Sequence, residues 1–152
     1  ARLIINLEKL YLSLKKLELK DSPITEYYEI SHELGIAQKE MNKLQNKLFG
    51  LECNFEELNG IDFKKGCYVG QENTARIKLK NKLSKRLLAI QLISGKLTKG
   101  ASVYANDIEI GKVLIDDEYP FALIKYLDEN FKKYSELKSE NAVLRIKIPN
   151  WI

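Results

Sequence analysis

Apolar and polar residues alternate in short segments through the second half of the chain, and this period of two predicts β-strands. A strong strand is predicted at 86–93, and a strictly alternating segment at 76–80 comes before it. Further strands are expected at 102–105, 108–115, 121–126 and 142–148, with turns at 106–107, 116–120 and 130–139. Several short strands at regular spacing are typical of a small barrel or sandwich, against which we expect Trp151 to pack.

In the first half of the chain the apolar residues recur with two different periods, one typical of strands and one typical of a helix. Residues 3–14 alternate well enough to predict two strands, and a charged loop follows them. From residue 24 the apolar positions recur at helical spacing, which predicts a helix over 24–34. Thr25 is its expected N-cap and Gly35 its expected stop.

The segment between that helix and the strands predicts mainly loops and turns. Residues 49–58 indicate a loop and then a short helix, which ends at the turn signal Asn59-Gly60. About one helical turn is expected at 70–75. The predicted fold class is therefore α+β, with an α+β unit over 1–75 and an all-β unit over 76–152.

Composition places the chain among ordinary globular proteins. Of its 152 residues 45% are hydrophobic and 30% charged, and no apolar run reaches the roughly 18 residues that a membrane-spanning helix needs. The spacing of Cys53 and Cys67 fits neither a zinc module nor a disulfide scaffold, so a reducing, cytoplasmic setting is expected. Because the chain opens with Ala1 inside a strand-like run, we expect it to be part of a longer protein.

Positive charge is concentrated in one segment. The net charge is +4, and between Lys64 and Arg86 eight Lys or Arg residues stand against one acid, Glu72. A basic face of this kind attracts a polyanion or an acidic partner. Only Tyr68 supplies an aromatic ring in the segment, so a docking or solvated surface is favoured over an RNA-binding module, and direct contact with nucleic acid is not expected.

The same segment opens with a candidate site. Gly66 and Gly70 bracket Cys67 and Tyr68, which predicts a tight turn that presents the thiol. The preceding lysines, Lys64 and Lys65, favour the thiolate form. The structural alternative is a tight turn in which Cys67 is buried as a small apolar residue.

Two other residues of chemical interest are expected to be structural. His32 is the single histidine, and no catalytic partner is spaced to act with it on its predicted helix. For Cys53, packing rather than chemistry is what the family resemblance given below implies.

Residues 65–72, with Lys65, Gly66, Cys67, Tyr68, Gly70, Gln71 and Glu72 in register, resemble the K-G-C-Y-x-G-Q-E signature of the YgfZ-type folate-binding proteins. These proteins are relatives of the glycine-cleavage T-protein (aminomethyltransferase) and act in iron–sulfur cluster maintenance. Weaker similarity extends over 34–36, 51–55, 59–64, 74–76, 85–86, 111–113 and 149–151. We refer to residues 65–72 as the signature.

The resemblance implies a fold and a role. The fold is the last part of a T-protein-like (ferredoxin-like) α+β subdomain over 1–75, followed by a small C-terminal antiparallel β-barrel over 76–152. The role is assembly or repair of 4Fe–4S clusters in enzymes such as those that thiolate tRNA, with tetrahydrofolate as cofactor. Expected partners are iron–sulfur assembly proteins or client enzymes and the N-terminal region of the same protein, without a membrane.

It also implies roles for individual residues. Cys67 would act as a functional thiol, or as one ligand of an iron–sulfur cluster shared transiently with a partner. Tyr68, Gln71 and Glu72 would hold the turn or contact the pterin, and Arg76 would project toward the same pocket or partner. An accessory factor is favoured, and the enzymatic alternative is a folate-dependent aminomethyl or one-carbon transferase.

Overall fold

A computed structural model describes residues 6–18, 20–66, 69, 71–79, 83–125 and 136–152. Within these ranges the chain forms three α-helices: Leu7–Leu17 (α1), Ile24–Glu33 (α2) and Gln71–Leu79 (α3). The six strands are Lys85–Ser94 (β1), Ser102–Ala105 (β2), Ile108–Ile115 (β3), Phe121–Lys125 (β4), Leu137–Ser139 (β5) and Ala142–Lys147 (β6). The predicted α+β class with a small C-terminal barrel is confirmed.

The six strands close into an antiparallel barrel in the order β1-β4-β3-β2-β5-β6. Branched and aliphatic side chains fill its interior, with Ile90, Val103, Val113, Ile124 and Leu144 fully buried. Closure gives each strand a neighbour on both sides and so removes the exposed edges that invite aggregation.

Residues 87–90 of strand β1 are buried on both faces of the sheet. Leu88 and Ile90 point into the barrel, whereas Leu87 and Ala89 join a second cluster with Phe121 on the outer side. Met41 and Cys53, which precede the barrel in the chain, also pack against this second cluster. The run of consecutive apolar residues in β1 therefore reflects a strand covered by other parts of the chain.

Most predicted strands are confirmed, and two predictions are wrong. Strand β5 lies inside the segment predicted as a turn at 130–139, because three residues are too few for alternation to show. The strand predicted at 76–80 is instead the end of α3, since a five-residue alternation does not outweigh a run of good helix formers. Residues 80, 126 and 130–135 of these predictions lie outside the described residues.

The two strands predicted over 3–14 are also wrong where the structure describes them. Leu7, Leu10, Leu14 and Leu17 recur every three or four residues along α1, which is the helical period. Asn6 caps the helix, because its side chain accepts a hydrogen bond of 2.9 Å from the amide of Glu8.

Helix α2 confirms the predicted helix, and Gly35 ends it with a φ of +71°. Its N-cap position is Pro23, without a side-chain cap, so the prediction for Thr25 is wrong. Buried His32 fixes the helix to the barrel, since its Nε2 donates to the carbonyl of Pro120 at 3.0 Å. This confirms a structural role for His32.

The last residues connect the same two parts. Trp151 donates its indole N–H to the carbonyl of Leu34 at 2.9 Å, at the end of α2. The residue that packs against the barrel core is its neighbour Ile152. The boundary expected between residues 75 and 76 falls inside α3, and the division into two domains stays a prediction.

Candidate functional site

The structure describes the flanks of the signature but not its centre. Cys67, Tyr68 and Gly70 lie outside the described residues, so their expected roles stay predictions. Lys65 and Gly66 are exposed on one flank, and Gln71 begins α3 on the other.

Helix α3 places two of the predicted site residues together. Glu72 lies in its first turn and Arg76 in its last, and both are exposed. Residues four apart share one face of a helix, and acid near the N-terminus with base near the C-terminus suits the helix dipole. Arg76 therefore projects from a helix beside the signature, not from the strand that the sequence predicted.

A compact loop of residues 50–61, called the support loop below, precedes the signature. It consists of turns, for example Leu58 N to Asn54 O at 3.0 Å, and not of the predicted short helix. Asn54 and Asn59 both adopt left-handed backbone, with φ of 62° and 58°, a conformation that asparagine tolerates better than most residues. The predicted turn at Asn59 is confirmed.

A buried polar cluster links the support loop to β1. Asn54 is 2% exposed, and its Nδ2 donates to the carbonyl of Leu87 at 2.8 Å. Its Oδ1 accepts from Nη1 of Arg86 at 2.9 Å, and the same Nη1 lies 2.6 Å from Oε1 of Glu57. Sequence reasoning missed this cluster.

A second ion pair links the support loop to α3. Lys78 pairs with Glu56, and its ammonium lies 4.0 Å from the ring centroid of Phe63. With Asp62 and Lys64, these residues line a cleft of about 520 Å³ beside the signature.

These two ion pairs lower the net positive charge of the basic face that the sequence suggested. Arg86 pairs with Glu57 and Lys78 with Glu56, so two of the eight positive charges are balanced by the loop. Lys80 and Lys82 lie outside the described residues. A polyanion would therefore meet less free positive charge here than the local count implies.

Cys53 is a half-buried thiol with a structural environment. Burial raises its pKa to about 11, so the thiol is neutral at physiological pH. It lines an apolar pocket of about 380 Å³ with Met41 and Phe55. The prediction that Cys53 packs is confirmed.

The described residues do not fit a resident iron–sulfur cluster. Such clusters are held by several cysteine thiolates, and within the described ranges the structure offers the neutral thiol of Cys53. The same ranges contain no group of three or more His, Cys, Asp or Glu side chains placed to hold a metal ion.

A separate cleft of about 910 Å³ opens between α2 and the barrel. Its lining carries five acids and two lysines: Glu29, Glu33, Asp116, Asp117, Glu118, Lys96 and Lys147. Burial lowers the pKa of His32 at its base. The acidic turn at 116–118 was the one signal in the sequence for this cleft.

No helix among the described residues is long and apolar enough to cross a membrane.

No protein-family model matches the chain. It is similar, however, to proteins named iron-sulfur cluster assembly factor IBA57 homolog, mitochondrial. The relative from Aspergillus oryzae is 40% identical over 80 residues, which are 50% of this chain and 18% of that protein. The relative from Dictyostelium discoideum is 39% identical over 90 residues, 59% of this chain and 21% of the relative. The relative from Yarrowia lipolytica is 28% identical over 140 residues, which are 84% of this chain and 29% of that protein.

These relatives support part of the resemblance and correct another part. Similarity to iron–sulfur cluster assembly factors agrees with the expected family relationship at its coarser level. The cytoplasmic setting is contradicted, because all three relatives are named as mitochondrial proteins; an absence of disulfides and metal modules does not distinguish one reducing compartment from another. The chain spans between 18% and 29% of the length of these relatives.

Proposed function

We propose that this chain takes part in the assembly of iron–sulfur clusters in mitochondria. The observation that carries the proposal is the 40% identity over 80 residues to a mitochondrial protein named for that role. In this role the barrel, together with the loop that Asn54 and Arg86 attach to it, supports the exposed flanks of the signature, where a partner would bind.

Within that role, the chain acts as an accessory factor for 4Fe–4S clusters, and Cys67 is its working thiol. Lys64 and Lys65 precede Cys67, and nearby positive charge lowers the pKa of a thiol and so favours the thiolate that binds iron. One thiol cannot hold a cluster alone, so Cys67 donates one ligand to a cluster that a partner shares.

The finer parts of the proposal concern the cofactor and the clients. Tetrahydrofolate assists the reaction, with Tyr68, Gln71 and Glu72 near the pterin. The partners are iron–sulfur assembly proteins or their client enzymes, among which radical enzymes that thiolate tRNA are the ones we expect to depend on the chain.

The test is to deplete the gene that encodes this chain and to assay mitochondrial enzymes. We expect the activity of a 4Fe–4S enzyme to fall, the activity of a cluster-free enzyme in the same extract to stay constant, and the wild-type gene to restore the loss. Unchanged activity of 4Fe–4S enzymes after depletion would contradict the proposal. A separate assay of tRNA thiolation tests the client assignment.

A further inference from the structure

Helix α1 carries an apolar stripe that the described part of the fold leaves in water. Leu7, Leu10, Leu14 and Leu17 recur every three or four residues, and Tyr11 lies on the same side, four residues after Leu7. The side chains of Leu7, Tyr11 and Leu17 are 80%, 68% and 66% exposed, and no residue of the helix is buried. Because such a stripe normally packs against another layer, its exposure indicates a partner that the described residues do not include.

The bonds of α1 within the described ranges are local to the helix. The Asn6 side chain accepts from the amide of Glu8, and the hydroxyl of Ser13 donates to the carbonyl of Lys9 at 2.9 Å. None of the ion pairs between described residues involves α1. Both its apolar stripe and its charged side chains are therefore available to a partner.

The polar part of α1 is basic. Lys9, Lys15 and Lys16 stand against one acid, Glu8, so the helix has a net charge of three minus one, or +2. Lys15 follows Tyr11 by one helical turn and so borders the stripe. A lysine in this position can lay its aliphatic stem along an apolar surface and keep its ammonium in a polar layer.

The length of α1 distinguishes between the partners that such a helix could have. Its 11 residues, at 1.5 Å each, make it about 16 Å long. One stripe on so short a helix offers less area than the roughly 800 Å² per partner of a stable protein interface, so a second copy of α1 gains too little from it. A bilayer needs no matching face, and it binds helices that combine a leucine side with a lysine-rich side. Positive charge selects anionic lipids among the bilayers.

We propose that α1 lies on the surface of a bilayer that contains anionic lipids. The leucine stripe enters the boundary between headgroups and acyl chains, and the lysines bind the headgroup phosphates. A helix that lies on a bilayer needs no run of apolar residues long enough to span it. The proposal departs from the expectation that no membrane is involved, and it does not depend on the proposed role of Cys67.

The first test is co-sedimentation of the purified protein, expressed from its complete gene, with lipid vesicles. We expect stronger binding to mixed phosphatidylglycerol and phosphatidylcholine vesicles than to phosphatidylcholine alone, and weaker binding at high salt. Leu7→Ser with Leu17→Ser should lower binding to the mixed vesicles by at least about tenfold, without unfolding the protein, since both side chains face water. The matched control is Ile30→Ser with Ile108→Ser, which removes two side chains that are 56% and 66% exposed outside α1 and should leave binding unchanged.

The second test removes charge from α1. Lys15→Gln with Lys16→Gln keeps good helix formers in place. Since each lysine near an anionic surface strengthens binding by about fivefold, we expect this variant to bind the mixed vesicles at least about tenfold more weakly. The control is Lys112→Gln with Lys138→Gln, two exposed lysines of the barrel strands, which should bind as the wild type does.

A third measurement follows the stripe itself. Tyr11→Trp should add fluorescence whose emission moves to shorter wavelength on the mixed vesicles, because the indole ring leaves water. No sedimentation with the mixed vesicles, or equal losses in the α1 variants and their controls, would overturn the proposal. It would also be overturned if the protein formed a dimer that Leu7→Ser with Leu17→Ser dissociates, since the stripe would then belong to an interface between two copies.

Discussion

The barrel and helix α1 both carry aliphatic side chains, which are buried in the barrel and exposed on the helix. Val103, Val113 and Ile124 of the barrel are 0% exposed, whereas Leu7 and Leu17 of α1 are 80% and 66% exposed. A closed sheet supplies every strand with neighbours, while a single helix can bury its apolar stripe only against another element. The periodicity of a segment thus indicates its secondary structure, and its burial depends on what the rest of the fold brings to it.

The largest expected loss of stability comes from removing a large buried side chain of β4. Phe121 is 1% exposed and joins the cluster on the outer face of β1. We expect Phe121→Ala to lower the free energy of unfolding by about 3–5 kcal/mol, measured by urea denaturation. The matched control is Phe49→Ala, since Phe49 is 53% exposed and should cost less than about 0.5 kcal/mol. Equal losses in the two variants would refute the burial described for the barrel.

A smaller effect is expected from two glycines that share a backbone conformation. Gly95 and Gly100 have φ of +85° and +87°, and a Cβ at either position costs about 1–2 kcal/mol from the left-handed backbone alone. At Gly95 the added Cβ would also collide with the carbonyl of Asn141, whereas at Gly100 it meets nothing within 4 Å. Gly95→Ala should therefore destabilise more than Gly100→Ala in thermal unfolding, and a reversed order would contradict the β1–β6 geometry.

The contact between α2 and the barrel should depend on pH. Burial, with a smaller contribution from Lys147, lowers the pKa of His32 from 6.5 in the folded protein, while the hydrogen bond to the Pro120 carbonyl opposes the shift most strongly. The unfolded chain then binds a proton more readily, so stability is full above pH 6.5 and falls as the pH drops toward the lowered pKa. We expect His32→Gln to flatten this part of the stability profile. A profile that keeps its slope in the variant would assign the dependence to another group.

The smallest effect is expected in α1. Replacing Leu7 and Leu17 together by Ser should change the free energy of barrel unfolding by no more than about 0.5 kcal/mol, since both side chains already face water. A loss of several kcal/mol would mean that this helix packs against the barrel in solution, and the contrast between the two regions would disappear.

Most strands of the barrel were predicted because each is a run of alternating or apolar residues between turn residues, whereas β5 is too short to show such a pattern. Strands β2 and β3 were predicted at their observed bounds. Helix α1 was misread because Leu12, outside the leucine stripe, makes a run of alternating apolar positions over residues 10–14. The resemblance of residues 65–72 to a family signature is visible in the sequence because these residues are contiguous, and that resemblance stays a prediction. The attachment of the support loop to β1 could not be predicted, because the hydrogen bond between Asn54 and Arg86 joins residues 32 positions apart. No local pattern in the sequence indicates such a pairing.

The central claim, that the chain supports 4Fe–4S cluster assembly through the Cys67 thiol, is tested most directly in cells that lack the gene. The gene is restored as wild type, as Cys67→Ala or as Cys53→Ala, and the activity of a mitochondrial 4Fe–4S enzyme is measured beside the amount of folded protein. We predict that Cys67→Ala accumulates normally but fails to restore the enzyme, whereas Cys53→Ala restores most of its activity. Full restoration by Cys67→Ala would contradict the account and would leave the signature as a structural turn.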